Sequence, residues 1–327
     1  VRAASWAALL ALAAGIVGSL CVGRLALSPV SVLHVLAGAG GSDAMARALV
    51  LHVRLPRVLG AVCVGAALSV SGATYQSVFR NPLVSRGLLG VLAGAGFGAA
   101  LAIVTNAGPV MVEGLATVCG IGAAVFATAI ARGFAEDSLL MLVFGGMIST
   151  ALFTALLSGL QYVADPEQQL PDIVFWLLGS LSAVSLGQIP RLALVFAVGF
   201  GLLLACGRML DAMALGDDEA RSLGVPVAVV RGVVLLAATV MAAVTVSVVG
   251  MIGWVGLVVP HLARLLVGGR AVPLLGTSAV VGAGFMLACD DVARAASAQE
   301  LPVGIVTDVL GVVAFLVVLR LRGRAWA

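Results

Sequence analysis

Apolar runs of about 20 residues follow one another along nearly the whole chain, each long enough to cross the ~30 Å hydrocarbon core of a bilayer as a helix. A backbone in lipid has no water to bond to, so each run must close its own N–H and C=O groups internally. Composition agrees: 62% of the 327 residues are hydrophobic and 10% are charged, against about 25% charged in an ordinary soluble domain. Gly and Ala supply much of the apolar content, as expected where helices pack backbone to backbone. The predicted fold class is an all-α polytopic membrane protein, a single membrane domain over residues 1–327 whose solvent is the lipid bilayer.

Gly, Pro and charge breaks divide the runs into about ten transmembrane helices, centred near residues 16, 69, 97, 120, 150, 199, 239, 261, 281 and 311. The first starts near Trp6 and continues to about Leu27, too long for a secretory signal, so it is read as a retained helix. Ten spans put both termini on one side. Arg2 at one end and Arg320, Arg322 and Arg324 at the other argue that the N and C termini are cytoplasmic. Alternation then places Arg80, Arg86, Arg132, Arg208, Arg221, Arg231, Arg264 and Arg270 on that face, about 12 Arg inside to 6 outside. Shifting the chain by 178 residues lays Ser69, Val70, Gly72, Pro82, Arg86 and Gly90 on Ser247, Val248, Gly250, Pro260, Arg264 and Gly268. This weak internal repeat predicts two parallel copies in which a span ends in Pro and an Arg follows at the rim, and duplicated halves are a transporter habit.

Every one of the 18 basic residues is Arg. Without Lys the chain has no P-loop to reach nucleotide phosphates and no amine for a Schiff base. Cys21, Cys63, Cys119, Cys206 and Cys289 are scattered through apolar stretches without C-x-x-C spacing, which suits small buried hydrophobes. His34, His52 and His261 are far apart, and no H-E-x-x-H is present. No cofactor, metal or nucleic-acid partner is expected for this chain.

Three polar features stand out from the oil. Leu215 to Val225 carries Asp217, Asp218, Glu219 and Arg221, with acids where they favour a helix N-terminus and Gly224 then Pro226 to stop it. It is either a solvated loop or a capped handle for a partner. Residues 164–180 are too polar to cross and predict a short outer helix after the fifth span, with Phe175 and Trp176 suited to an interface. Arg54, Arg57 and Arg294 breach the positive-inside pattern. One explanation is local neutralisation, since Asp290 and Arg294 form an i,i+4 pair; the other is a patch that meets an acidic partner.

Seven segments, in this order, resemble the permease family of ABC importers for iron-siderophores, haem and vitamin B12, the large ten-helix importer type. They are Arg54-Leu-Pro-Arg-Val, Gly65 to Gly72, Arg80-Asn-Pro-Leu83 with Gly87 to Gly90, Phe175 to Leu181, Leu215 to Val225, Gly253 to Arg264 and Glu300 to Thr307. The resemblance implies a permease that pairs with a second copy of itself and works with two ABC ATPase subunits and one periplasmic substrate-binding protein, in the bacterial inner membrane. ATP and Mg would then belong to the partner ATPases, and the chain itself would be no enzyme. Within residues 211–225 the cytoplasmic coupling segment would be Gly216, Asp217, Asp218, Glu219, Ala220, Arg221, Ser222, Leu223 and Gly224. Arg54, Arg57 and Arg294 would receive acidic residues of the binding protein, and Asn81 and Leu83 would contribute to a cytoplasmic gate.

One departure concerns the gate: Val84-Ser85-Arg86 stands where many members run Ala-Asp/Glu-Pro. The function implied is import of a metal chelate by alternating access; no residue separates an iron-siderophore, haem or cobalamin from an oxyanion such as molybdate. The rival from another class is an ion-coupled secondary transporter with Asp290, Asp291 and Asp308 as carriers. An intramembrane hydrolase lacks any His/Glu or Ser/His constellation at workable spacing.

Overall fold

The computed structural model describes residues 2–23, 25, 27–38, 44–134, 138–296 and 300–326, with backbone alone for 2–8, 319 and 321–326. The side chains of Arg2, Arg322 and Arg324, used above to orient the termini, lie outside the described residues. The described chain is helical. After α1 (Arg2–Cys21) and α2 (Pro29–Leu36), α3 (Ala44–Ala48) runs through a π-helical stretch, Leu49–Arg54, into α4 (Leu55–Val78). A 3-10 turn at Arg86–Leu89 precedes α5 (Val91–Val104), α6 (Pro109–Phe134), α7 (Leu139–Val163) and α8 (Gln169–Leu178). Next come α9 (Ile189–Ala205), α10 (Gly207–Met213), α11 (Asp217–Ser222), α12 (Val227–Val249), α13 (Val255–Val267), α14 (Ala271–Ala295) and α15 (Val303–Trp326).

Each of the ten predicted centres falls inside a helix. Length and apolarity alone identify five spans, Ala44–Val78, Pro109–Phe134, Leu139–Val163, Val227–Val249 and Ala271–Ala295, and α9 with α10, bent by 56°, makes a sixth. Two of the others, α5 and α13, are short for a physical reason. At 1.5 Å per residue α5 and α13 are only about 20 Å long, because the chain before each spends part of the depth on non-α-helical backbone, residues 80–90 and 250–254. Such backbone is tolerated at that depth when protein surrounds it.

The 178-residue repeat holds at some positions, with Ser69 and Val70 in α4 against Ser247 and Val248 in α12 and Gly90 and Gly268 both at φ near +80°, but not at others. Gly72 is inside α4 and Pro82 in the loop beyond it, whereas Gly250 closes α12 and Pro260 is inside α13. The same spacing thus runs from helix to loop in one copy and from loop to helix in the other.

α4 is the hub. It packs against α9, α12, α13 and α14, and 83% of its apolar window is buried, against 22% for α7, which faces outward. Small residues permit the crowding. A Cβ on Gly72 would fall 1.9 Å from the carbonyl oxygen of Gly256, and one on Gly65 2.2 Å from that of Gly282, so α13 and α14 approach α4 as backbone against backbone. The two ends of the bundle are set by these crossings. One carries α11; the other carries α8, the C-terminus of α1 and the N-termini of α4 and α15.

Candidate functional site

At the α11 end the charged handle forms as a helix, Asp217–Ser222, with three acids in its first turn. Six residues do not hold a helix alone in water. Tertiary anchors do it here. Asp217 bridges two elements, accepting from Arg80 beyond α4 at 3.2 Å and from Arg231 of α12 at 2.5 Å, while Ala220 is fully buried in the core. The helix stops where the sequence predicts. Gly224 adopts φ +81°, its N–H donates to Arg221 O at 2.9 Å, and the Val225 N–H donates to Ala220 O at 3.0 Å, the paired bonds that satisfy a helix's last carbonyls. What remains outward is Asp218, whose side chain is 92% exposed, with Glu219, Arg221, Ser222 and two bare leucines, Leu215 and Leu223. Exposed apolar tips on a charged, rigid helix suit a partner's groove better than free water.

Beside this helix lies the loop of Asn81 and Leu83. Asn81 shapes it: its Oδ1 accepts from the Leu83 N–H at 2.9 Å, a side-chain turn that leaves Leu83 64% exposed at the tip. A cavity of about 310 Å³ opens between this loop, α10 and the start of α14, lined by Gln76, Arg80, Asn81, Asp211 and Arg264. Asp211 caps α14 by accepting from the Ala271 N–H at 2.7 Å, and Arg264 donates to Gln76. Arg86, expected at this rim, is not there. It is 3% exposed and its guanidinium donates to Ile252 O, deep in the protein.

At the α8 end Arg54, Arg57 and Arg294 come together, but not as open sockets: they are 3%, 5% and 5% exposed. Arg54 donates to Leu20 O at 2.7 Å and Cys21 O at 3.1 Å, and Arg294 to Val22 O at 2.9 Å and Ser19 O at 3.2 Å. These are the carbonyls a helix C-terminus leaves unpaired, so the arginines cap α1 and complement its dipole. Arg57 pairs with buried Asp290 at 2.8 Å and with half-exposed Glu300 at 2.6 Å, and Arg294 pairs with Asp290 at 3.0 Å and also with Asp291. The local Asp290–Arg294 pair is therefore present. Sequence spacing could suggest that pair, but it carries no signal for Arg57–Asp290, 233 residues apart, nor for the π-helical stretch that leads into this cluster, a feature common near functional sites. With Asp290 and Asp291 both held by arginines, a carrier role for them would require breaking those pairs.

α8 lies nearby as the predicted short helix, joined to the α5–α6 corner by Gln169, which donates to Val104 O at 3.1 Å. Among the described residues, no group of three or more His, Cys, Asp or Glu could hold a metal ion.

A helical bundle crossing the bilayer, with a rigid charged handle at one end and no nucleotide-binding motif of its own, is the build of an ABC importer permease. Its residues 10–321 match the model of the FecCD transport family, and the chain belongs to that family. It is similar to the molybdate import system permease protein of Haemophilus influenzae, 40% identical over 90% of this chain and 88% of the relative. It is also similar to the cobalamin import system permease protein of Halobacterium salinarum, 37% identical over 86% of this chain and 76% of the relative. A solved structure described as an inward-facing metal-chelate type ABC transporter superposes with a TM-score of 0.89 at 37% identity, covering 98% of this chain and 99% of that one.

Proposed function

We propose that this chain is the permease of a bacterial inner-membrane importer that moves a metal chelate of the iron-siderophore, haem or cobalamin class into the cytoplasm. Two copies enclose the path, two ATPase chains drive it and a periplasmic binding protein delivers the cargo. The α11 end faces the cytoplasm. Gly216 to Gly224 seat in the ATPase groove, and Asn81 and Leu83 line the path's cytoplasmic mouth. The binding protein docks at the opposite end, where Arg54, Arg57 and Arg294 act by holding the ends of α1, α4 and α14 in one shape. A contact in one nucleotide state that is lost in the other is what lets ATP shift the conformational equilibrium, and the handle provides such a contact. The chain performs no chemistry itself.

The observation that carries this reading is the end-to-end match with a metal-chelate type transporter. A second reading, import of an oxyanion by the same mechanism, is favoured by the molybdate relative. The cognate binding protein separates them. Titrated with haem, a ferric siderophore and cobalamin, it should shift the absorbance of one of these at micromolar concentration and give no calorimetric heat with molybdate. Heat with molybdate alone would transfer the assignment to the second reading.

A further inference from the structure

A charged pair lies where the helices break. α12 ends at Val249, residues 250–254 cross without helical structure, with Trp254 at φ +54°, and α13 starts only about 20 Å from its far end, inside the bilayer depth. Arg86 reaches this break from the other side. Its Nη2 donates to Ile252 O, its Nη1 lies 2.7 Å from where a Cβ on Gly256 would be, and its buried Nε has no hydrogen-bond partner. Asp308 of α15 reaches the same break: its Oδ1 lies 2.3 Å from where a Cβ on Gly253 would be. The two charges interact electrostatically across the break, yet they are not in contact. Among the described residues Asp308 makes no ion pair within 4.0 Å.

Arg86 is sealed in, whereas Asp308 is exposed. It shares a helical face with Ile305, Val309 and Val312, all exposed, while Gly311 on the inner side packs against Trp254. A carboxylate on an apolar helix face at this depth is costly against lipid, and such residues face a water-filled cavity or the bundle interior.

We infer that Asp308, with Arg86 behind it, faces the translocation path as its charge filter, and that it selects a cationic or neutral metal chelate over a bare oxyanion. This rests on the importer reading above and narrows its cargo. Arg86 touches no permeant and is a positioning residue; the carboxylate is the charge a passing ion meets first, in a passage where a single charge is poorly screened.

The test reads charge selectivity directly. In the assembled permease–ATPase–binding-protein complex in nanodiscs, the five native cysteines are replaced by Ala and a reporter thiol is added as Val312→Cys. Two water-soluble methanethiosulfonates of similar size, one with a trimethylammonium and one with a sulfonate, are compared by labelling rate with and without ATP. The reporter should label in at least one state, faster with the cation. The cation-to-anion ratio should fall by at least about fivefold in Asp308→Asn, the effect of a unit charge roughly 8 Å away at the dielectric of water, felt with opposite sign by the two reagents, and persist in Asp308→Glu. A reporter that never labels, or a ratio unchanged in Asp308→Asn, overturns the inference. Import of neither a chelate nor molybdate while the bias stands would sink the importer reading and leave the filter, whereas import of molybdate would overturn the selection of chelate over oxyanion.

Discussion

At the residue scale, the arginines at the α8 end decide how this protein manages charge in an oily chain. Their presence was legible in the sequence as a breach of the positive-inside pattern, but their burial was not, because it depends on α1, α4 and α14 meeting. Asp290 is fully buried between Arg57 and Arg294. Truncating one member of a buried ion pair leaves the other charge uncompensated, at a cost of roughly 3–5 kcal/mol. Arg57→Ala should therefore lower the thermal unfolding midpoint in detergent clearly. Adding Asp290→Ala should recover part of the loss in a double-mutant cycle. An unchanged midpoint would mean that the cluster is not what fixes these helix ends.

At the element scale, helix positions were readable because apolar runs and breakers are local. The α11 handle was readable for the same reason, from three acids, Gly224 and Pro226. What escaped was where a helix falls short of crossing. The depth lost before α5 and α13 is set by tertiary packing, of the turn before α5 chiefly on α7 and of α13 on α4 and α14, and within the 178-residue repeat Gly72 and Pro82 stand in other settings than Gly250 and Pro260. The handle makes a clean prediction, since Asp218 and Glu219 project outward and exposed substitutions change stability by only about 0.5 kcal/mol. Asp218→Arg with Glu219→Arg should leave folding intact but uncouple ATP hydrolysis from uptake in proteoliposomes. Full coupled transport in the double variant would remove α11 from the ATPase interface.

At the scale of the whole molecule, the proposed function pairs this chain with a second copy of itself. Leu83 is 64% exposed on a loop stiffened by Asn81, and under that proposal it would lie at the cytoplasmic mouth near its symmetry mate. Leu83→Cys should then cross-link two protomers in at least one nucleotide state; if control sites cross-link and this one never does, the gate lies elsewhere. The family was legible because its motifs are spread over most of the chain, whereas the cargo was not, because selectivity rests on a few side chains brought together across the fold, such as Arg86 and Asp308. The central claim is ATP-driven import of a metal chelate. Its most direct test is uptake by proteoliposomes holding this permease, its ATPase and its binding protein, supplied in parallel with haem, a ferric siderophore, cobalamin and molybdate. The account predicts accumulation of one chelate that requires both ATP and the binding protein. Accumulation of molybdate alone, or uptake driven by an ion gradient without ATP, would contradict it.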